Sequence, residues 1–323
     1  MSTALASPLA HQVADELGVA APPAARALTN AILERHDRNE TIAGVLFYGS
    51  CLRKSTHEGV LDFYLLVDDY QAFYSSRPIA WANGLLPPNV FYLEAETQLG
   101  TLRTKYAVIS LEDFEHCVGP DCVHPYIWAR FAQPSILVYV RDEESRQRVI
   151  ACAAQAVKTL IQRLGVFLPA RGAIQKFSIA ALWQEAFRRT YGAEKRPESS
   201  DTIRSIYQAR SERYDAAGAS ALVLLDEEGW FESVVARGSA FEVELRPSRR
   251  LWTRWRWRFS RPVARGLAVL RLLKTAFTFG DWVPYALWKF ERHTGEAVEV
   301  SERQRRHPLI FGWPVIWRVL LRR

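Results

Sequence analysis

Two short apolar runs, VLFY at 45–48 and VLDFYLLV at 60–67, flank a Gly-Ser pair, and the second run carries a carboxylate. Both runs are rich in branched and aromatic residues and bounded by turn residues, which predicts two buried strands. Asp62 lies inside the second. A lone charge there would cost several kcal/mol, roughly, unless it were paired or held a metal. The chain must therefore fold so that Asp62 meets a partner. Gly49-Ser50 follows the first strand directly. A glycine there lets the backbone turn with positive φ or approach a ligand closely, and the N–H and hydroxyl of the next residue can face an anion. Arg53 and Lys54 follow within a turn.

This order is similar to that of the nucleotidyltransferase superfamily. There a Gly-Ser turn after one strand precedes a strand whose Asp holds Mg²⁺ against a nucleoside triphosphate. Phosphoryl transfer needs donors around the phosphate oxygens and divalent cations to spread the developing charge. The alternative for the same residues is a tight β-turn with a serine cap and a strand Asp paired to a nearby Arg. The superfamily pattern also has a second carboxylate two residues on, on the same strand face, where this chain has Tyr64. Another group must then complete the metal site.

Upstream, Leu9, Val13 and Leu17 repeat at helical spacing, Ala21-Pro22-Pro23 breaks the pattern, and Leu28, Ile32 and Leu33 resume it, predicting two helices. Downstream, 90–96 reads as a third strand. If it lies near the Asp62 strand, Glu94 or Glu96 could supply the missing carboxylate, with solvent exposure as the alternative. Lys105 leads into a strand at 106–109, where a compact point charge can neutralise a triphosphate. Ser110 with Asp113 opens a capped helix. A helix over 125–131 carries Arg130, either a phosphate ligand or a surface residue. A strand at 136–140 and a long helix at 143–164 follow, then helices at 174–189 and 202–216 and a small strand or turn from 222. These elements predict an α+β chain: a nucleotidyltransferase-like mixed sheet with N-terminal helices over 1–142, a helical domain over 143–245 and a basic aromatic tail over 246–323.

The tail is set apart by composition. Eight of the eleven tryptophans lie beyond residue 229. From residue 241 onward eighteen Lys or Arg face seven Asp or Glu, a balance of +11 that leaves −4 for the rest of a chain whose total is +7. In LWTRWRWRFSR, a period of two would put Trp255, Trp257 and Phe259 on one side of an extended segment and Arg254, Arg256 and Arg258 on the other. Beyond Pro262, residues Val263, Leu267, Leu270, Leu273 and Phe277 form a helical apolar stripe flanked by Arg261, Arg265 and Arg271. Tryptophan, arginine and an apolar stripe predict a segment that docks on an anionic membrane surface. Packing on the body, a partner helix, or RNA stacking are the alternatives. No run is long and apolar enough to predict a transmembrane helix, and the N-terminus lacks the pattern of a signal peptide. Cys117, Cys122, His116 and His124 have the residue types of a zinc site, but their spacing is far shorter than usual. Reduced thiols in a cytoplasmic protein is the simpler reading.

The motifs FYGSCLRK, LDFYLLVDD, TKYAVISLEDF and YIWARFAQPSILV, in this order, resemble the mitochondrial-type phosphatidate cytidylyltransferases, peripheral CDP-diacylglycerol synthases also known as translocator maintenance factors. Similarity weakens through the helical half to about Trp230, and the stretch 70–88 is shorter than the family's. That family also has an apolar residue where Tyr64 stands. The resemblance implies transfer of a cytidylyl group from CTP to phosphatidate with Mg²⁺, on the inner face of the cell membrane and without nucleic acid. It implies that Gly49 and Ser50 hold the triphosphate, helped by Arg53 and Lys54, that Asp62 binds metal and Lys105 contacts phosphate, and that Arg130 binds a phosphate of either substrate. Asp68 and Glu94 are the further metal-ligand candidates.

Overall fold

The computed structural model describes residues 7–37, 40–193 and 199–278. The closing run LIFGWPVIWRVLLRR and the side chain of Phe277 lie outside the described residues. Helices α1 (Pro8–Leu17) and α2 (Pro23–Arg35) form on either side of the proline break. Ser7 caps α1 by accepting from the Ala10 N–H at 3.2 Å. Strand β1 (Ile42–Tyr48) and short helix α3 (Ser50–Lys54) then lead into β2 (Val60–Val67).

Helices α4 (Tyr70–Phe73) and α5 (Arg77–Leu85) precede β3 (Asn89–Thr97) and β4 (Gly100–Ser110). Helices α6 (Leu111–Val118) and α7 (Trp128–Phe131) lead to β5 (Ser135–Val140). These strands form one five-stranded sheet, in the order β3-β4-β2-β1-β5. It is mixed: β2 and β4 run parallel and the other neighbours antiparallel.

The sheet is buried on both faces, which is why its central strands read as apolar runs. Phe47, Phe63, Leu65 and Val108 pack with Leu28 and Ile32 of α2. Leu46, Tyr64, Leu66 and Ile109 face a larger core that includes α1, α6 and helix α8 (Glu143–Leu164). That core runs without interruption into the helical half, through α9 (Ile179–Ala193) and α11 (Ser211–Glu227). Stretch 143–167 is long enough, and over an 18-residue window apolar enough, to cross a membrane, yet 78% of that window is buried inside the protein, as a core helix would be.

The helical half departs from expectation in three places. The expected helix at 174–189 begins as a strand, β7 (Ile174–Ser178), and turns helical only at Ile179. Its alternation was readable: Gln175 and Phe177 are buried while Ile174 and Lys176 are exposed. The expected helix at 202–216 divides into α10 (Ser200–Gln208) and α11, and Leu222 and Leu225 lie in α11 rather than in a strand. Strands β8 (Ser233–Arg237) and β9 (Ala240–Glu244) join β7 and β6 (Ala170–Arg171) in a second sheet, ordered β6-β7-β9-β8.

The tail is also corrected. Residues 247–278 form one helix, α12, which continues through Pro262. The period-two reading of LWTRWRWRFSR therefore fails. Trp257 is buried against Trp128 and Phe167, with ring centroids 6.3 and 6.5 Å apart. Trp255 and Phe259, one helical turn apart, stay exposed. Arg254 donates to the Val166 carbonyl at 3.0 Å and Arg256 to the Asp121 carbonyl at 2.7 Å, so two of the expected surface arginines hold α12 to the body.

Candidate active site

The cavity of about 450 Å³ at the end of β1 lies between the five-stranded sheet and helix α9. Strand register builds its floor. Tyr48, Asp62 and Lys105 are direct neighbours across β1, β2 and β4, so their side chains share one face. Lys105 Nζ lies 3.7 Å from Asp62 Oδ1, and both side chains are about one-third exposed (32% and 29%). Asp62 thus has a cation partner across the parallel strand pair.

Gly49 ends β1 at φ +94°, ψ −158°, a region that only glycine occupies readily. A Cβ placed there would stand 3.1 Å from Asp62 Oδ2. The turn therefore lies directly against the carboxylate and passes the chain into α3, with Ser50 at its first position. Arg53 reaches across from α3 to Gln133 Oε1 at 3.4 Å. Helix α7 and the loop before it supply the opposite wall. The Arg130 guanidinium stacks on the Tyr126 ring, 3.8 Å from its centroid, and donates to the Tyr126 carbonyl. Thr190 and Tyr191 of α9 close the remaining side.

Of the predicted site residues, Gly49, Ser50, Arg53, Asp62, Lys105 and Arg130 line this one cavity. Three others do not line it. Lys54 is exposed outside it, because the single turn of α3 directs Arg53 inward and its neighbour to solvent. Asp68 lies beyond the opposite end of β2, where Arg141 donates to it at 3.3 Å. Glu94 shares the sheet face of Asp62 but stands two strands away on the edge, where it accepts from Tyr92 Oη at 2.6 Å and Arg103 Nε at 3.1 Å. Asp69 caps α4 by accepting from the Ala72 N–H at 2.8 Å.

The place of the missing second carboxylate is now defined. Tyr64 is fully buried under the cavity, its ring 5.3 Å from Tyr48 and 5.0 Å from Phe131. A carboxylate there would be stripped of water. Burial likewise pushes the Tyr64 hydroxyl well above its ordinary range, so it stays protonated. Among the described residues, Asp62 is then the one carboxylate lining a cavity that also presents Arg53, Lys105 and Arg130. One acid among three cations suits a polyanion.

Nothing in the local pattern points to Thr190 and Tyr191, which are distant in the chain from the other lining residues. Tyr126 and Gln133 sit within the YIWARFAQ run, so their proximity to Arg130 was readable although their roles were not. In comparisons with protein-family models and with curated proteins, nothing matches this chain.

Proposed function

We propose that the chain is a nucleotidyltransferase that moves a cytidylyl group from CTP to phosphatidate, giving CDP-diacylglycerol and pyrophosphate. The observation that carries this reading is the convergence of a Gly-Ser turn, one carboxylate and three cationic side chains on a single cavity. The nucleotidyltransferase-like character of the fold is part of the same proposal, supported by the adjacency of the Gly49 turn to Asp62.

Gly49 and Ser50 bind the triphosphate through backbone N–H and hydroxyl donors. Arg53, Lys105 and Arg130 neutralise its oxygens and orient the chain of phosphates. A phosphatidate phosphate oxygen attacks the α-phosphorus of CTP, forming the new P–O bond as the bond to the pyrophosphate oxygen breaks. The attacking oxygen is already anionic, so positioning and charge neutralisation supply most of the rate without a strong general base. Mg²⁺ fits a site of this kind, because it is commonly held by one or two carboxylates together with substrate phosphate oxygens. Asp62 would hold it, and when bound it would spread the charge that develops on the phosphates.

Phosphatidate lies in a bilayer, and α12 offers a face toward one. Trp252, Trp255, Phe259, Val263, Leu270 and Leu273 are all exposed along one stripe, with Arg258, Arg261 and Arg265 exposed beside it. Such a face can lie among headgroups, with the arginines drawn to anionic lipid.

The test is pyrophosphate release by purified protein with Mg²⁺, phosphatidate vesicles and each of the four nucleoside triphosphates in turn. Turnover is expected with CTP alone, dependent on phosphatidate and abolished in Asp62→Asn with vesicle binding intact. Absence of turnover with every nucleotide, under conditions where vesicles still bind, would overturn the proposal. Turnover that ignores phosphatidate would move it to another acceptor.

A further inference from the structure

Outside the cavity, Cys117, Cys122 and His124 come together at the junction of α6 and α7. Their ligand atoms, two sulfurs and one imidazole nitrogen, all lie within 4.8 Å of one another, and both cysteines are buried (5% and 3% exposed). His116, the other histidine of the short motif, is exposed and not part of the group. Two neighbours hold the backbone that carries these donors. Arg163 donates to the Cys122 carbonyl at 2.5 Å, and Thr159 donates to the Val118 carbonyl at 2.7 Å. The short spacing that argued against a metal in the sequence is therefore overcome by one turn of chain between the two cysteines, closed by the Cys122 N–H donating to the Gly119 carbonyl at 3.3 Å.

We propose that Cys117, Cys122 and His124 form a site for a thiophilic divalent cation of the zinc class, stapling the end of α6 to the loop that carries Tyr126. Two thiolates and an imidazole are the donor set such a cation prefers over the oxygen ligands that suit magnesium. The spacing agrees. A sulfur at about 2.3 Å and an imidazole nitrogen at about 2.0–2.1 Å from a tetrahedral zinc stand about 3.5 Å apart. Cys122 Sγ and His124 Nδ1 are 3.8 Å apart. Three protein donors leave the fourth position to water.

The site is linked to α12. Arg271 Nη2 lies 3.0 Å from His124 Nε2, and Arg271 also donates to the Pro87 carbonyl at 2.8 Å. Arginine is donor-only, so Nε2 accepts and the ring proton sits on Nδ1, toward Cys122. Binding through Nδ1 moves that proton to Nε2, while the two thiols release theirs to solvent. Two donors then face each other, and Arg271 must leave His124. The cation and the Arg271 anchor of α12 thus compete for one imidazole. A glutamine at 271 brings a carbonyl oxygen that can instead accept from Nε2–H, as a carbonyl beside a metal-bound histidine does.

The experiment uses the full chain, reduced and stripped of metal, with Zn²⁺ titrated against a chromophoric chelator and Co²⁺ followed by absorption. One equivalent is expected to bind, with a thiolate-to-cobalt charge-transfer band. Cys117→Ser and Cys122→Ser each should weaken binding by more than the roughly 10–100-fold typical of losing an outer partner, His116→Ala should not, and Arg271→Gln should tighten it by about tenfold. X-ray absorption on the unaltered zinc-loaded protein needs no variant, and should show two sulfurs at about 2.3 Å and a nitrogen at about 2.0–2.1 Å. No stoichiometric binding, or a shell of oxygen and nitrogen alone, overturns the site. An Arg271→Gln affinity equal to that of the unaltered protein overturns the competition.

Discussion

Gly49 does two things that no other residue can do in its place. It holds a backbone conformation that a side chain strains by about 1–3 kcal/mol, and it leaves room for the Asp62 carboxylate, 3.1 Å from where a Cβ would stand. Gly49→Ala is therefore expected to strain the turn and push Asp62 aside by a few tenths of an ångström, lowering turnover. Pyrophosphate release measured beside an unchanged circular dichroism spectrum checks this. Turnover equal to the parent's would remove the turn from the site.

His36 offers a test of stability at the same scale. Its Nε2 lies 3.1 Å from Tyr106 Oη and its ring 4.7 Å from Phe73. Burial first, then neighbouring Arg35, lowers its pKa from 6.5 to about 4. Between those values the unfolded chain binds more protons than the folded one. The contribution of His36 is thus complete above pH 6.5, declines as pH falls toward about 4, and changes no further below. Denaturant unfolding at a series of pH values should show a shallower acid decline in His36→Gln than in the parent. Parallel curves would mean that His36 does not titrate in that window.

At the scale of elements, α9 and α11 approach so closely that only glycine fits at 218. A Cβ there would meet Ile179 Cγ2 at 2.8 Å and Trp183 Nε1 at 3.1 Å, and that indole N–H already donates to the Tyr214 carbonyl at 2.8 Å. Overpacking of this kind costs about 1–3 kcal/mol, more than the roughly 1 kcal/mol that alanine gains over glycine in a helix. Gly218→Ala should lower the thermal midpoint. Gly192→Ala, on α9 rather than α11 and with nothing within 4 Å of its Cβ, should hold or raise it. Equal shifts in both variants would contradict the close helix packing. Helix α12 has a comparable division: Arg250, Thr253, Trp257, Ser260, Ala264 and Arg271 are buried at spacings of three, four and seven, and the aromatic stripe faces away.

At the scale of the molecule, the cavity is a product of two halves. The sheet supplies Asp62 and Lys105, and α9 supplies Thr190 and Tyr191. A largely buried ion pair helps fix the halves together: Arg213 of α11 contacts Glu16 of α1 at 2.5 Å and the Ala132 carbonyl, just past α7, at 2.8 Å. The burial of one face of α12 limits how the proposed membrane docking can be probed. Removing the chain beyond Arg250 would take Trp257 and Arg271 out of the body, and so confuse docking with folding. Replacing both Trp255 and Phe259 by serine removes exposed apolar surface only. Each such side chain contributes about 1.5–3 kcal/mol when fully buried, so binding to phosphatidate vesicles in a sedimentation assay should fall about tenfold or more with the thermal midpoint unchanged. Undiminished binding would place the docking surface elsewhere.

Local pattern was sufficient wherever one element met one chemical demand. The N-terminal helices declared themselves by apolar spacing and a proline break, α8 by its acidic start and periodic core, and the strand–Gly-Ser–strand unit by a charge that had to find a partner. An α+β chain with Asp62 beside a glycine turn is legible in this residue pattern alone. Whether a residue reaches that turn depends on strand order and direction, which periodicity does not encode. Parallel pairing of β2 with β4 put Lys105 next to Asp62, while the outer position of β3 and the far end of β2 removed Glu94 and Asp68. These placements, the burial of Trp257 and the gathering of Cys117, Cys122 and His124 arise only on folding, because each depends on which surfaces cover one another once the core has closed.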